Sequence, residues 1–147
     1  MKLITTCKME TGFTILELVI VIIIVGVLAS LALPRFFKLV EYSRSVEALN
    51  SLGAIRNSME RCYLWSSSYS NCSNLANLDI SDPGLSPNAH YTYSLPPGAA
   101  TASTFTITAT RNTRDGGANY PGATITLKLT AANSITRTGT GVYIGLK

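Results

Sequence analysis

The hydrophobic pattern of this chain changes twice along its length, and each change predicts a different element. Residues 13–33 are apolar with almost no interruption, and roughly twenty such residues are enough for a helix that spans a bilayer. In residues 34–63 apolar side chains recur every three or four positions, which is typical of a helix with one buried face. From His90 onward apolar residues alternate with threonines, which is typical of half-buried strands.

These patterns together predict an α+β fold, in which one long N-terminal helix packs its amphipathic half on a C-terminal antiparallel sheet. The sheet should have about four strands, which we expect near residues 90–95, 104–111, 123–130 and 133–146. The helix face expected to pack against it carries Val46, Leu49, Leu52, Ile55, Met59 and Cys62. The chain then divides into a leader (1–12), a membrane-spanning helix (13–33), an amphipathic helix half (34–63), a loop region (64–97) and a sheet (98–147).

One charged residue, Glu17, interrupts the apolar run only five residues after its start. A carboxylate at membrane depth is costly unless a partner neutralises it, so such a residue indicates a function. A simpler alternative is that the Glu17 side chain reaches back to the polar interface near the start of the helix.

The leader, residues 1–12, is short and polar and carries Lys2 and Lys8. In a secretory signal peptide the apolar region precedes the cleavage site, whereas here a cut between Gly12 and Phe13 would leave it on the mature protein. The basic leader predicts a cytoplasmic N-terminus and a domain on the outer side of the membrane.

The cysteines, the net charge, the histidine and the acidic residues limit which kinds of bond, partner and site the chain can have. The pair Cys62 and Cys72, in a chain with an export-type N-terminus, indicates a disulfide, although two free thiols remain an alternative.

The net charge of +4 comes from scattered residues, so we expect no specific nucleic-acid partner. The lone histidine, His90, offers no nucleophile–base pair, so we expect no enzyme, no catalytic residue and no cofactor. Asp79 and Asp82 alone are too few ligands for a metal site.

The N-terminal residues resemble those of the type IV pilins and of the type II secretion pseudopilins. The pattern of that family is a short basic leader ending in Gly, then Phe-Thr-x-x-Glu, then a long apolar helix with a proline near its end. Gly12, Phe13, Glu17, Gly26 and Pro34 all fall on this pattern, and Ile15-Leu16 stands where the family more often has Leu-Ile. The resemblance covers about the first 60 residues.

The resemblance implies a processing and assembly route. A prepilin peptidase would cut between Gly12 and Phe13 and methylate the new amino group of Phe13. Glu17 would then meet the Phe13 amine of a neighbouring subunit, and the segment between Gly26 and Pro34 would extend as helices pack in a filament. Before assembly the chain would span the inner membrane once, with its domain in the periplasm. With the help of an inner-membrane assembly platform and motor, it would then enter an extracellular homo-oligomeric pilus.

Three functions stay open at this point. The leading interpretation is a structural subunit of a type IV pilus, most like a major pilin. A type II secretion pseudopilin has the same N-terminal pattern. A membrane-anchored binding module that never polymerises is the third, and it would need neither the cleavage junction nor the charge at position 17.

Overall fold

The computed structural model describes residues 12–130 and 133–145 and consists of one long helix followed by a four-stranded sheet. Helix α1 is Ile15–Ser66, and the strands are β1 (Tyr91–Ser94), β2 (Phe105–Arg111), β3 (Thr124–Leu129) and β4 (Ile135–Gly139). Short 3₁₀ turns occupy Tyr69–Cys72, Leu75–Asn77, Pro83–Leu85, Arg114–Asn119 and Gly141–Tyr143. The predicted α+β fold class is confirmed, and β1 lies within residues 64–97 of the sequence-based division.

The chain divides into two compact units between Phe37 and Lys38. In the first unit, the large apolar side chains that α1 carries are exposed, from Ile15 at 85% to Phe37 at 59%. This part of α1 contains Pro34 and still forms a regular helix by backbone assignment. It is long and apolar enough to cross a membrane, and none of the most apolar 18-residue window is buried within the chain.

The second unit holds the sheet, whose strands follow one another in chain order as an antiparallel meander. On β2 every second residue is buried, because side chains alternate between the two faces of a strand. The threonines between them lie on the opposite face, where Thr108 pairs across to Thr126 of β3. The predicted alternation of a buried apolar face with a threonine face is therefore confirmed for β1, β2 and β3.

The core of the second unit lies between this sheet face and one stripe of α1. The helix contributes the fully buried side chains of Ala48, Leu52, Ile55 and Met59. Val46, which the sequence places on this face, is 52% exposed, so that expectation is wrong. The buried stripe is rotated relative to the predicted one, because it includes the polar residues Glu41, Ser45 and Ser58.

The end of the chain differs from the predicted fourth strand. The strand ends at Gly139, and the backbone then forms a 3₁₀ turn over Gly141–Tyr143. Gly141 has φ +63°, a left-handed conformation that glycine adopts without strain. The turn brings the side chain of Tyr143 into the core, where it is fully buried. A long-range contact therefore overrides the local strand pattern.

A disulfide joins Cys62, in the last turns of α1, to Cys72 in the first 3₁₀ turn after it. Next to it, Tyr69 is 8% exposed, stacks on Tyr63 with ring centroids 4.5 Å apart, and packs edge-on against Phe105 at 4.9 Å. Trp65, by contrast, is 93% exposed. Tyr69 is therefore the aromatic residue of this segment that packs against the sheet.

Candidate assembly site

The N-terminus of α1 brings together the residues that the sequence singles out. Gly12, Phe13 and Thr14 precede the helix, and Glu17 lies in its first turn. Phe13 is 83% exposed, and apart from its chain neighbours no atom lies within 4 Å of a Cβ built on Gly12. Both residues of the Gly12–Phe13 junction are thus exposed. The rest of the leader, with Lys2, Cys7 and Lys8, lies outside them.

Glu17 and Thr14 cap the helix reciprocally. The backbone N–H of Glu17 donates to Thr14 Oγ1 at 3.2 Å, while Glu17 Oε2 accepts from the Thr14 backbone N–H at 3.4 Å and from its hydroxyl at 3.3 Å. This is the capping-box arrangement, in which a Thr before the helix and a Glu three residues later satisfy free backbone donors. Sequence analysis missed this role, although the spacing Thr-x-x-Glu before an apolar run is its usual signal.

The capping box uses only one of the two carboxylate oxygens. Glu17 Oε2 makes both contacts with Thr14, and Oε1 accepts no hydrogen bond from any residue that the structure describes. A carboxylate oxygen has room for two donors. Glu17 can therefore hold its own helix end and still accept a hydrogen bond from a second, positively charged group.

Gly26 and Pro34 lie farther along the same helix and make no contact with Glu17 or Phe13. Nothing within 4 Å would meet a Cβ added at Gly26, which leaves a notch on the exposed helix surface. Pro34 removes one backbone hydrogen bond from the helix interior. Glycine and proline have the lowest intrinsic helix preference of all residues, so each of these two positions weakens α1 locally.

A second polar cluster, which sequence analysis missed, lies buried in the domain. Arg111 of β2 donates hydrogen bonds to both oxygens of Glu41, and the Tyr143 hydroxyl donates to Glu41 Oε1 at 2.7 Å. Since the Tyr143 proton is used there, the Tyr91 hydroxyl donates to Tyr143, with the oxygens 2.6 Å apart. Glu41 and Arg111 are 2% and 4% exposed. The alternation along 105–111 places Arg111 on the inward face, and this was the signal available in the sequence.

The electrostatics of this cluster follow from its burial and its hydrogen bonds. Burial by itself would raise the pKa of Glu41, but the hydrogen bonds from Arg111 and Tyr143 hold that pKa below its usual value. Burial raises the pKa of Tyr91 to about 12, and burial also raises the pKa of Tyr143. The cluster is therefore a fixed ion pair with two neutral tyrosines, which is a structural arrangement rather than an acid–base site.

Asp79 and Asp82, the two carboxylates considered above as metal ligands, are each held by hydrogen bonds from neighbouring groups. Asp79 accepts two hydrogen bonds from Arg61, at 2.5 and 2.7 Å, and one from the Ser58 hydroxyl. The hydrogen bond from Arg61, and then that from Ser58, hold the pKa of Asp79 well below its usual range. Asp82 accepts from the backbone N–H of Gly84 at 2.8 Å. Within the described residues no group of three or more His, Cys, Asp or Glu side chains could hold a metal ion.

An exposed apolar helix that leads into an amphipathic half, packed on a four-stranded antiparallel meander, defines the pilin class of fold. A family model described as "Type IV minor pilin ComP, DNA uptake sequence receptor" matches residues 34–126. A second, described as "Prokaryotic N-terminal methylation motif", matches residues 7–33. This chain belongs to the type IV pilin family.

Individual relatives agree with this assignment. The chain is 33% identical over 57 residues to the type IV major fimbrial protein FimA of Dichelobacter nodosus, covering 39% of this chain and 36% of that protein. It is 36% identical over 63 residues to the type IV major pilin protein PilA of Myxococcus xanthus, covering 43% and 29%. It is 43% identical over 55 residues to a probable minor fimbrial protein of D. nodosus, covering 37% and 35%. The matched region spans about a third of the length of these relatives, which include both major and minor subunits.

Proposed function

We propose that this chain is the precursor of a type IV pilus subunit, which is cut between Gly12 and Phe13 and assembles through its N-terminal helix. The observation that carries the proposal is the exposed apolar surface of the first part of α1, preceded by an exposed Gly12–Phe13 junction. Such a surface needs either a bilayer or other copies of the same helix around it. The fimbrial relatives favour a pilus over a secretion pseudopilus.

In this proposal Glu17 has two roles at once. Its Oε2 caps α1 through Thr14, and its unoccupied Oε1 accepts a hydrogen bond from the new Phe13 ammonium group of the neighbouring subunit. Both charges then leave the bilayer as a pair. In these apolar surroundings, loss of one charged partner would leave the other charge unpaired, which costs about 3–5 kcal/mol. Before assembly, the chain spans the inner membrane once with its domain in the periplasm.

Two substitutions at Glu17 separate the cap from the charge. Glu17→Val removes both, whereas Glu17→Gln keeps a capping-box partner and removes only the charge. We expect both variants to insert in the membrane and both to lose most filaments, because the ammonium group is left unpaired. Membrane fractionation and filament counts by electron microscopy measure the two steps.

Glu60→Gln is a matched control, because that half-exposed carboxylate lies outside the assembly site and pairs with Arg56 on the same helix. It should leave filament numbers unchanged. Normal filaments in Glu17→Gln would show that the cap alone matters and would rule out charge pairing between subunits. Normal filaments in Glu17→Val would remove position 17 from assembly altogether.

The description of the matched family model favours a second candidate function, in which the domain also binds DNA. The chain has a net charge of +4 and a sequence pI of about 9.1, and Arg114, Lys128 and Arg137 are exposed. The logarithm of the association constant for duplex DNA should then fall linearly with the logarithm of the salt concentration. The variant Lys128→Ala/Arg137→Ala should bind more weakly and with a shallower salt dependence. Absence of binding at low salt would leave the structural role alone, as the sequence predicts.

A further inference from the structure

His90, the single histidine of the chain, lies between two carboxylates that belong to different parts of the domain. Its Nδ1 is 2.6 Å from Oε2 of Glu47 on α1, and its Nε2 is 2.9 Å from Oδ2 of Asp115 in the connection between β2 and β3. Glu47 Oε1 also accepts a hydrogen bond from the backbone N–H of His90 at 3.0 Å. One imidazole ring therefore joins the helix to the β2–β3 connection.

This geometry determines the protonation state of the ring. An ionised carboxylate can only accept hydrogen bonds, and a neutral imidazole carries a single N–H. Both ring nitrogens of His90 lie within hydrogen-bond distance of a carboxylate oxygen, so both nitrogens donate. The ring is therefore an imidazolium cation in this arrangement, and a neutral ring would lose one of the two contacts.

The charges around the ring balance only while His90 is protonated. Arg111 of β2 donates to the backbone carbonyl of His90 at 3.1 Å and pairs with Glu41. Arg44 of α1 lies 3.3 Å from Glu41 and donates to the backbone carbonyl of Asp115. With the two carboxylates that contact the ring, this network has three acidic and three basic side chains. Loss of the ring proton leaves it with one negative charge in excess.

The two carboxylates are not held equally firmly. Glu47 lies on α1 and accepts from both the ring and the backbone of His90. The side chain of Asp115 is 59% exposed, and its neighbours over residues 113–116 are exposed as well. The backbone of Asp115 has φ +46°, a left-handed conformation that is unfavourable for a residue with a Cβ. The contact to Asp115 is therefore the one that a neutral ring loses.

We propose that His90 is a pH-sensitive latch, which holds residues 113–116 against the domain while its ring is protonated and releases them when the ring loses its proton. Release is confined to this segment, because the next residue, Gly117, is buried where an added Cβ would meet the Arg111 side chain. The segment includes the exposed Arg114, so the latch controls where that charge lies. The inference concerns a single subunit and does not depend on the assembly proposed above.

NMR relaxation of the detergent-solubilised full chain tests the latch at about pH 5 and about pH 9, on either side of the range in which histidines change charge. Carbon detection avoids the loss of amide signals at high pH. The backbone order parameters of residues 113–116 should fall from about 0.85 at low pH to below about 0.6 at high pH. The ring nitrogen signals of His90 should show two protonated nitrogens at low pH and only Nδ1 protonated at high pH. Order parameters that stay high, or a ring with one protonated nitrogen at both pH values, would overturn the proposal.

Two variants separate titration of the ring from a fixed contact. His90→Gln does not titrate, so the order parameters of residues 113–116 should not change with pH. Glu47→Gln lets a neutral ring keep both contacts, because the new amide donates to Nδ1 while the Nε2–H donates to Asp115, and its segment should stay ordered at high pH. Glu60→Gln is the matched control on the same helix and should respond to pH as the wild type does. A wild-type response in His90→Gln, or loss of order at high pH in Glu47→Gln, would show that another group controls the segment.

Discussion

At the scale of single residues, the most consequential feature is the ion pair of Glu41 and Arg111, which joins α1 to β2 in the interior of the domain. Arg44 adds a contact to Glu41 Oε2 at 3.3 Å from the surface side. Arg111 also donates to the backbone carbonyl of His90 at 3.1 Å. Hydrogen bonds from described residues therefore surround both charges, which is what burial of a charge requires.

Loss of one member of this pair should destabilise the domain strongly. Glu41→Gln keeps the shape but leaves the Arg111 guanidinium buried without its counter-charge, which costs about 3–5 kcal/mol. We expect a large fall in the thermal midpoint of the detergent-solubilised chain, followed by near-UV circular dichroism. Arg56→Gln removes an exposed pair with Glu60 and should cost less than about 1 kcal/mol. Equal midpoints for the two variants would show that the buried pair contributes no more than the exposed one.

At the scale of elements, the hydrophobic pattern predicted α1, its apolar first half and the sheet, because each of these is determined by local sequence pattern. The N-terminal pattern likewise placed Phe13 and Glu17 near each other, since both lie in the short stretch of chain at the start of α1. Three features depended on distant contacts and were not predictable from local pattern. Tyr143 leaves the strand pattern to reach Glu41, Arg111 points inward to the same carboxylate, and Tyr69 rather than Trp65 packs on Phe105.

The disulfide between Cys62 and Cys72 ties the end of α1 to the loop that follows it, so its removal is a test at this scale. Closing so short a loop stabilises a domain by about 2–3 kcal/mol in the chain-entropy model. The variant Cys62→Ser/Cys72→Ala should therefore unfold at lower denaturant concentration than the wild type. Cys7→Ser lies in the predicted leader and is the control, which should not change the unfolding of the processed chain. The same unfolding midpoint in the double variant and the wild type would contradict a stabilising role.

At the scale of the whole molecule, the chain combines a helix that is apolar on every side with a domain that has its own core. The large apolar side chains in the first part of α1 are exposed. The domain alone gives no reason for the charge at position 17. The apolar helix surface and the charge at position 17 are explained together if the helix lies in the bilayer before assembly and packs against the helices of other subunits afterwards.

Replacement of Gly12 tests the cleavage step, which in our proposal lies between the membrane-bound precursor and the assembled subunit. A larger side chain, as in Gly12→Val, should block cleavage before Phe13, so that the chain keeps its leader and gains no ammonium group to pair with Glu17. Mass spectrometry of membrane fractions should find the full-length chain instead of one that begins at Phe13, and filaments should be absent.

Gly26→Ala is the control for Gly12→Val, because an added Cβ there meets nothing within 4 Å and lies beyond the cleavage junction. It should be processed normally. A Gly12→Val chain that still begins at Phe13 would contradict cleavage that depends on the small residue before the junction. A full-length chain that nevertheless builds filaments would show that assembly does not need the free amine, and the charge pair with Glu17 would then be excluded as the link between subunits.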